Sequence, residues 1–236
     1  MRRPQKELRG GATFFPVLFN FTQEQLAGIG AVAMTFNAAE KLIDDLVRIG
    51  WQLKFDANEI ITRIGGIDGK YELVKHAAKV WGMPADLQEA LQSIFSKTDF
   101  QELKSLRDSI VHARIVDADR AVGVHLQRQN KRAEILLSAE ALSGVARRLE
   151  IIANELEAIK QAYGIHIDLK FHGASWPQQD KERLEGVLRD SMTQYQRHRT
   201  NRKTLPPLPE FPEGPEPSEL WAKLLDGRSD QSEPTA

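Results

Sequence analysis

Apolar residues recur at intervals of three and four along most of this chain, which is the spacing of one face of an α-helix. The most regular run covers residues 139–163 and keeps its spacing through about three heptads. Its apolar positions are Leu142, Val145, Leu149, Ile152, Leu156, Ile159 and Tyr163. Ser138 can cap the start of this helix, and Gly164 follows the run, so we predict that the helix ends there.

Four shorter helices and one longer one precede this run. Thr22 and Gln25 form a capping box for a helix that we expect to continue to about Ile49, with Gly50 as its stop. The shorter helices are predicted over residues 57–64, 71–81, 85–95 and 98–115, with GGIDGK as a loop between the first two.

The period changes from helical to alternating after Ile115. The segments VGVHLQRQ and RAEILLS, on either side of Asn-Lys, predict a β-hairpin. Beyond Gly164, IHIDLKF predicts a short strand, and a polar helix follows over about 177–199. From Leu205 the chain is rich in proline, and we expect it to be extended or disordered and not packed on the bundle.

These patterns predict a mainly α protein. The core is expected to be a bundle of four to five helices with a short β-hairpin before the last core helix. Four regions follow from the same patterns: an N-terminal extension (1–20), a helical domain (21–163), a polar strand and helix extension (164–203), and a proline-rich tail (204–236).

Composition narrows the possible chemistry without identifying it. The chain has 236 residues, no cysteine and a net charge of −1. Disulfides, thiolate catalysis and cysteine–zinc sites are therefore excluded, and any site for an anion must be local. No P-loop, dinucleotide-binding glycine pattern or Ser-His-Asp signature is present. The apolar run FFPVLFNF is too short to span a bilayer and lacks a signal-peptide layout, so we expect a cytoplasmic protein without membrane association.

A polar cluster stands out in the predicted helix over residues 98–115. Asp108 and His112 lie four positions apart on the face opposite the core stripe, Ser105 joins them, and Arg107 lies at the edge of the stripe. A solvated face with an Asp–His pair would explain this pattern, but Val111 beside His112 adds an apolar patch. An apolar patch next to a polar cluster favours an interface, such as one with a second subunit.

Glu40 supplies a second indication that the polar residues have partners. It falls in the middle of the apolar stripe of the first helix, between Phe36 and Ile43. A carboxylate on a core face is costly without a cation beside it, so we predict that Glu40 is partly buried and contacts Arg107 or Lys70.

The segment LRDSIVHARI resembles the motif of the HEPN superfamily (higher eukaryotes and prokaryotes nucleotide-binding), in which an arginine and a polar residue precede a histidine late in a helix. Arg107, Asp108 and His112 are the matching residues. The helix order is similar over residues 21–163, with Glu40 in FNAAEKLIDDLV and Lys70 in IDGKYELVKHA. Asp108 departs from the pattern, since many members have asparagine there. Aspartate lacks the amide donor, so it either orients His112 differently or marks an inactive site.

The resemblance implies metal-independent cleavage of RNA, without a cofactor, at a cleft to which two protomers each contribute one arginine and one histidine. It therefore implies a homodimer, and a toxin–antitoxin or defence role would add an antitoxin or another protein partner. A histidine with a pKa near neutrality can transfer protons, and an arginine can hold a phosphate. The first alternative is a non-catalytic HEPN-like interaction or nucleotide-binding module, and the second is a structural dimerisation protein.

Several arginines could extend a positive surface toward RNA phosphates. They are Arg114, Arg128, Arg132, Arg197 and Arg199. A solvated surface explains the last two equally. A metal site at His166, Asp168 and His172, which would share a face of the predicted strand, has no motif behind it, and we predict no metal there.

Overall fold

The computed structural model describes residues 21–53, 61, 64, 66–95, 100–126, 132–214, 219 and 222. This part of the chain is mainly helical with one small antiparallel sheet, which confirms the predicted class of a helical bundle with a short β-hairpin before the last core helix. The helices are α1 (Gln23–Gly50), α2 (Gly66–Val80), α3 (Ala85–Ile94), α4 (Phe100–Val111), α5 (Ala139–Phe171) and α6 (Gln178–Lys203). The strands are β1 (Arg114–Asp117), β2 (Val122–Leu126) and β3 (Arg132–Leu136), and a 3-10 turn covers Gly173–Ser175.

The chain divides into two compact units. The sheet unit comprises the described residues within Met1–Ala31, Leu106–Ser143 and Leu208–Ala236. The bundle unit comprises those within Val32–Ser105 and Gly144–Pro207. Each unit has its own buried residues and is described by itself below.

The bundle unit is built on the apolar stripes of its helices. In α5, the predicted positions from Leu149 to Tyr163 are buried, and Phe36 of α1 stacks on Phe100 of α4 with ring centroids 5.8 Å apart. Tyr71 of α2 stacks on Phe95, directly after α3, at 4.3 Å. Aromatic pairs at these distances add to the free energy gained by burial, so the stripes read from the sequence are the core.

The end of α5 and the start of α2 differ from prediction, and the physical reason is the same for both. The chain at Gly164 stays helical through IHIDLKF to Phe171, so neither the predicted stop nor the predicted strand is found. Ile167 extends the stripe of Tyr163 by four positions and is buried. Likewise, the loop predicted at GGIDGK is not found over Gly66–Lys70, since α2 begins at Gly66, and Ile67 and Lys70 are buried on its inner side. Burial of the next residue on the stripe outweighs the helix-breaking tendency of glycine, about 1 kcal/mol.

The long first helix is found as predicted. Thr22 and Gln25 form the expected capping box. The backbone N–H of Gln25 donates to Thr22 Oγ1 at 3.1 Å, and the backbone N–H of Thr22 donates to Gln25 Oε1 at 2.8 Å. By length and composition alone, α1 is apolar enough to cross a membrane, a criterion that core helices of soluble proteins also meet. Its inner residues Phe36 and Ile43 are buried against protein.

The sheet unit contains a strand that the sequence pattern did not predict. We expected the helix predicted over residues 98–115 to run to Ile115, but α4 ends at Val111 and β1 begins at Arg114. β1 pairs antiparallel with β2, which pairs antiparallel with β3 as the predicted hairpin. Ile115 and Val116 are β-branched, and pairing with β2 supplies hydrogen bonds that a longer helix would have supplied internally.

The C-terminal part of the described chain also differs from prediction. The polar helix is confirmed, as α6, and it is packed: Ser191 and Tyr195 on its inner side are buried. Residues 206–214 contain neither helix nor strand, in keeping with the prolines there. However, Arg148 donates to the carbonyl of Pro206 and Arg120 to that of Pro212, so the expectation that the tail is not packed is wrong at these two residues.

Five predictions concern residues that the structure leaves wholly or mostly undescribed. The first twenty residues, nearly all of the predicted helix over 57–64 and the capping residue Thr98 lie outside the described part of the chain. The same holds for Arg128 and for the Asn-Lys turn of the hairpin.

Candidate functional site

The candidate site lies where α4 gives way to β1 in the sheet unit. α4 holds Arg107 and Asp108 in its last two turns. His112 lies one residue beyond the helix, and its backbone N–H donates to the carbonyl of Asp108 at 3.2 Å. His112 is exposed, whereas Arg107 and Asp108 are each partly exposed. The cluster predicted from the sequence is therefore open to solvent, as a site for a macromolecular substrate requires.

Arg107 and Asp108 are paired with each other. The Arg107 guanidinium lies 2.6 Å from Asp108 Oδ1, and the two side chains are 24% and 41% exposed. The Asp–His pair that was one explanation of the sequence pattern is a backbone hydrogen bond only, among the interactions described. Asp108 therefore acts on Arg107: it holds the guanidinium at the end of α4 and offsets its charge.

A second histidine lies beside His112. His125 of β2 is half-buried, and its ring centroid is 5.5 Å from that of His112, with the ring planes tilted by 33°. The Nδ1 atom of His125 is buried and has no hydrogen-bond partner within the described part of the chain. Two imidazoles at this separation can act on one small group, one by accepting a proton and the other by donating one.

The register of the sheet explains why the two histidines meet. Arg114 pairs with Val124, so the next residue of β2, His125, lies level with the junction between α4 and β1. Gly123 allows this approach: a Cβ there would lie 2.6 Å from Leu137 Cδ1 and 3.3 Å from the Cβ of Ala113. A side chain at Gly123 would push β2 away from the residue that follows His112.

His125 was not predicted as a site residue because the sequence pattern did not predict β1, the strand that brings it beside His112. VGVHL was correctly predicted as a strand, and the strand period puts Gly123 and His125 on one face. With residues up to Ile115 assigned to a helix, no neighbour connected this face to His112. The β-branched pair Ile115–Val116 was the signal that could have revealed the strand.

Two of the three residues predicted to support the site, Glu40 and Lys70, belong to an ion-pair cluster in the bundle unit. Lys70, which is buried, lies 2.6 Å from Asp44 and 3.7 Å from Glu40. This confirms that Glu40 contacts a basic group, which is Lys70. Ser105, the third supporting residue, is exposed on α4. The Lys70 cluster neutralises a buried ammonium, which is a structural task.

The arginines predicted to bind RNA are in different settings. Arg114 and Arg132 are exposed at the starts of β1 and β3, and each has an interaction partner. Arg197 is exposed on α6. Arg199 is half-buried near Tyr195, whose phenol pKa is raised by burial and lowered in part by a hydrogen bond with Ser93 and by the charge of Arg199. Arg199 therefore has a structural neighbour in the bundle unit.

The residues considered for a metal site do not form one. His166 and Asp168 lie on α5 and His172 directly after it, so the shared strand face does not exist. His166 Nε2 lies 3.4 Å from the carbonyl of Trp81, to which Lys170 also donates. No group of three metal-ligating side chains occurs among the residues that the structure describes.

A pocket of about 270 Å³ lies in the bundle unit, between α2 and α3. Its wall includes Tyr71, Lys75 and Gln88. Lys75 already lies 2.6 Å from Glu72 and over the ring of Tyr71, and Gln88 donates to the carbonyl of Met83. The polar groups of this pocket are largely occupied, so the histidine pair remains the stronger candidate for chemistry.

No family model, no curated protein and no solved structure matches this chain.

Proposed function

We propose that this protein is a metal-independent endoribonuclease of the HEPN type. The observation that carries the proposal is the exposed His112 just beyond α4, with Arg107 on the same helix end and a second imidazole 5.5 Å away. These groups provide proton transfer and a positive charge, which are the two needs of metal-independent phosphodiester cleavage.

The reaction uses the 2′-hydroxyl of RNA as the nucleophile. Its oxygen attacks the adjacent phosphorus, the bond from phosphorus to the 5′-oxygen breaks, and the products are a 2′,3′-cyclic phosphate and a 5′-hydroxyl. His112 takes part in the proton transfers that this exchange requires. Arg107 stabilises charge on the non-bridging oxygens. DNA, which lacks the 2′-hydroxyl, is not a substrate.

The proposal includes a setting and partners. The substrate is RNA, the protein works in the cytoplasm as a homodimer, and its activity belongs to a toxin–antitoxin or defence system in which a protein partner restrains it. Val111, which is 40% exposed beside His112, supports an interface next to the site. Neither a metal nor a cofactor takes part.

The test is cleavage of a mixed-sequence RNA in EDTA by the wild type and by His112→Ala. We expect a rate lower by about 10²–10⁴-fold in the variant, because a proton-transfer group is lost. His172→Ala is the matched control, since His172 is an exposed histidine of the bundle unit that stacks on Trp176. Equal rates for wild type and His112→Ala, or no cleavage by the wild type, would contradict the proposal.

A non-catalytic interaction module is the second candidate, and the ion pair between Arg107 and Asp108 favours it. A guanidinium neutralised at 2.6 Å is a weaker phosphate ligand than a free one. Under this candidate neither the wild type nor Asp108→Asn cleaves RNA, and light scattering finds a stable dimer. Under the nuclease proposal both proteins cleave, and Asp108→Asn cleaves faster because it removes the carboxylate charge that offsets the guanidinium of Arg107.

A further inference from the structure

We propose that His125 is the second catalytic residue of the site, so that a single chain supplies both proton-transfer groups. This inference rests on the proposed ribonuclease function. It replaces the expectation that two protomers must each contribute one histidine to a composite cleft.

The first support is the distance between the rings. The centroids of His112 and His125 are 5.5 Å apart, and a tilt of 33° keeps the rings from stacking face to face in parallel. One phosphodiester has its attacking 2′-oxygen and its departing 5′-oxygen on opposite sides of a single phosphorus atom. Two imidazoles close together can therefore serve both oxygens at once.

The second support is that the fold holds His125 firmly. His125 lies within the paired part of β2, where it is the register partner of Ala133 on β3. Catalytic groups on strands are positioned more accurately than groups on loops, because the ladder hydrogen bonds restrict the backbone. His112, by contrast, lies in the turn after α4 and is exposed. A fixed histidine beside a more open one suits a substrate that enters from solvent.

The third support is a buried ring nitrogen of His125 that lacks a hydrogen bond within the described part of the chain. A half-buried histidine in a core usually donates or accepts a hydrogen bond, but the Nδ1 atom of His125 has no such partner among the described residues. Glycine at position 123 lets β2 lie close to Ala113, which brings His112 and His125 together. A glycine in the middle of a strand weakens that strand, because it has no side chain to pack. Both features are costs to stability that a catalytic role explains.

The two imidazoles account for both protons that the cleavage reaction transfers. One imidazole enters neutral and takes the proton of the 2′-hydroxyl as the bond from the 2′-oxygen to phosphorus forms. The other enters protonated and gives its proton to the 5′-oxygen as the bond from phosphorus to that oxygen breaks. The proton count of the enzyme is unchanged, and no metal, oxidant or further reactant is needed.

The first experiment measures cleavage of mixed-sequence RNA in EDTA by the wild type, His125→Ala, the isosteric His125→Gln and the control His172→Ala. We expect a loss of about 10²–10⁴-fold for both His125 variants and none for the control. Circular dichroism and melting temperature separate loss of chemistry from loss of fold, and His125→Gln covers the case in which alanine unfolds the strand.

The second experiment asks whether the two histidines act from one chain. Purified His112→Ala and His125→Ala are mixed, denatured together and refolded. If one chain supplies both groups, the mixture stays as inactive as its components. Recovery toward a quarter of the wild-type rate, the most that random pairing of the two variants allows, would mean that the histidines act across a dimer and would overturn the inference.

The third experiment identifies the general acid with a substrate in which sulfur replaces the 5′-bridging oxygen. A thiolate departs without protonation, so the variant that lacks the general acid regains most of its rate and the other does not. Rescue of neither variant would overturn the assignment of a two-histidine mechanism. If the wild type cleaves, His112→Ala does not and His125→Gln is unimpaired, the inference fails and the proposed function stands. If the wild type leaves RNA intact, the proposed function itself fails.

Discussion

Two of the arginine–carboxylate pairs that the structure describes have nearly equal lengths but differ in burial. Arg202 of α6 lies 2.7 Å from Glu155 of α5 in the bundle unit, with side-chain exposures of 9% and 0%. Arg107 lies 2.6 Å from Asp108 in the sheet unit, with exposures of 24% and 41%. A buried pair must stay intact because either charge alone is costly, whereas an exposed pair is weak and can open for a ligand. Distance alone therefore does not separate a structural ion pair from a functional one.

The contrast also explains which polar residues are available for chemistry. In the bundle unit, Lys70 is held by Asp44 and Glu40, and Glu155 by Arg202. Each charge there is balanced by a fixed neighbour. In the sheet unit, His112 is exposed and His125 has a buried nitrogen without a partner among the described residues. The sheet unit therefore contains a pair of neighbouring histidines, neither of which is in a described ion pair.

The largest effect on stability is expected at the buried pair. Arg202→Met removes the guanidinium and leaves the Glu155 carboxylate buried, which should lower the free energy of unfolding by about 3–5 kcal/mol. Urea unfolding followed by circular dichroism measures this. The double variant Glu155→Leu/Arg202→Met should recover most of the loss, since no charge remains buried. A loss below about 1 kcal/mol in the single variant would contradict the structural role of the pair.

An intermediate effect is expected at Tyr163, which is buried in the bundle unit with its hydroxyl 3.5 Å from the carbonyl of Val74. Burial raises the pKa of this phenol above its usual 10.0. The folded state therefore keeps its proton where the unfolded chain loses it, so stability is full below pH 10 and falls as the pH rises above it. Tyr163→Phe should cost about 1 kcal/mol at pH 7, because the hydrogen bond is long.

The same variant should lose stability less steeply in alkali than the wild type. Urea midpoints between pH 8 and pH 11.5 give the comparison, and Tyr195, whose pKa is also raised by burial, remains as a common background. Parallel curves for the two proteins would show that the Tyr163 hydroxyl does not ionise on unfolding.

The smallest effect on stability is expected at the exposed pair. Asp108→Asn should change the free energy of unfolding by at most about 1 kcal/mol, the usual value for an ion pair in solvent. Its effect on RNA cleavage should be larger than its effect on stability, since the positive charge of Arg107 is then no longer offset by the Asp108 carboxylate. A stability loss as large as that of Arg202→Met would mean that the two pairs do not differ in kind.

The course of most helices could be read from the sequence, because a helix that buries one face repeats its apolar residues every three or four positions. The stripe of α5 and the caps at Thr22 and Ser138 are local signals of this type, and all three are confirmed. The cluster of Arg107, Asp108 and His112 was also visible, since its members lie within six positions of one another.

Tertiary contacts decided the rest. Gly164 would end an isolated helix, but burial of Ile167 continues α5 to Phe171. Glu40 needed a cation, and the packing of α2 supplies Lys70. The histidine pair depends on residues 13 positions apart in sequence, which meet only because β1 pairs with β2 in one register. Periodicity reports which face of an element is buried, whereas the neighbour that covers that face is determined by packing between elements.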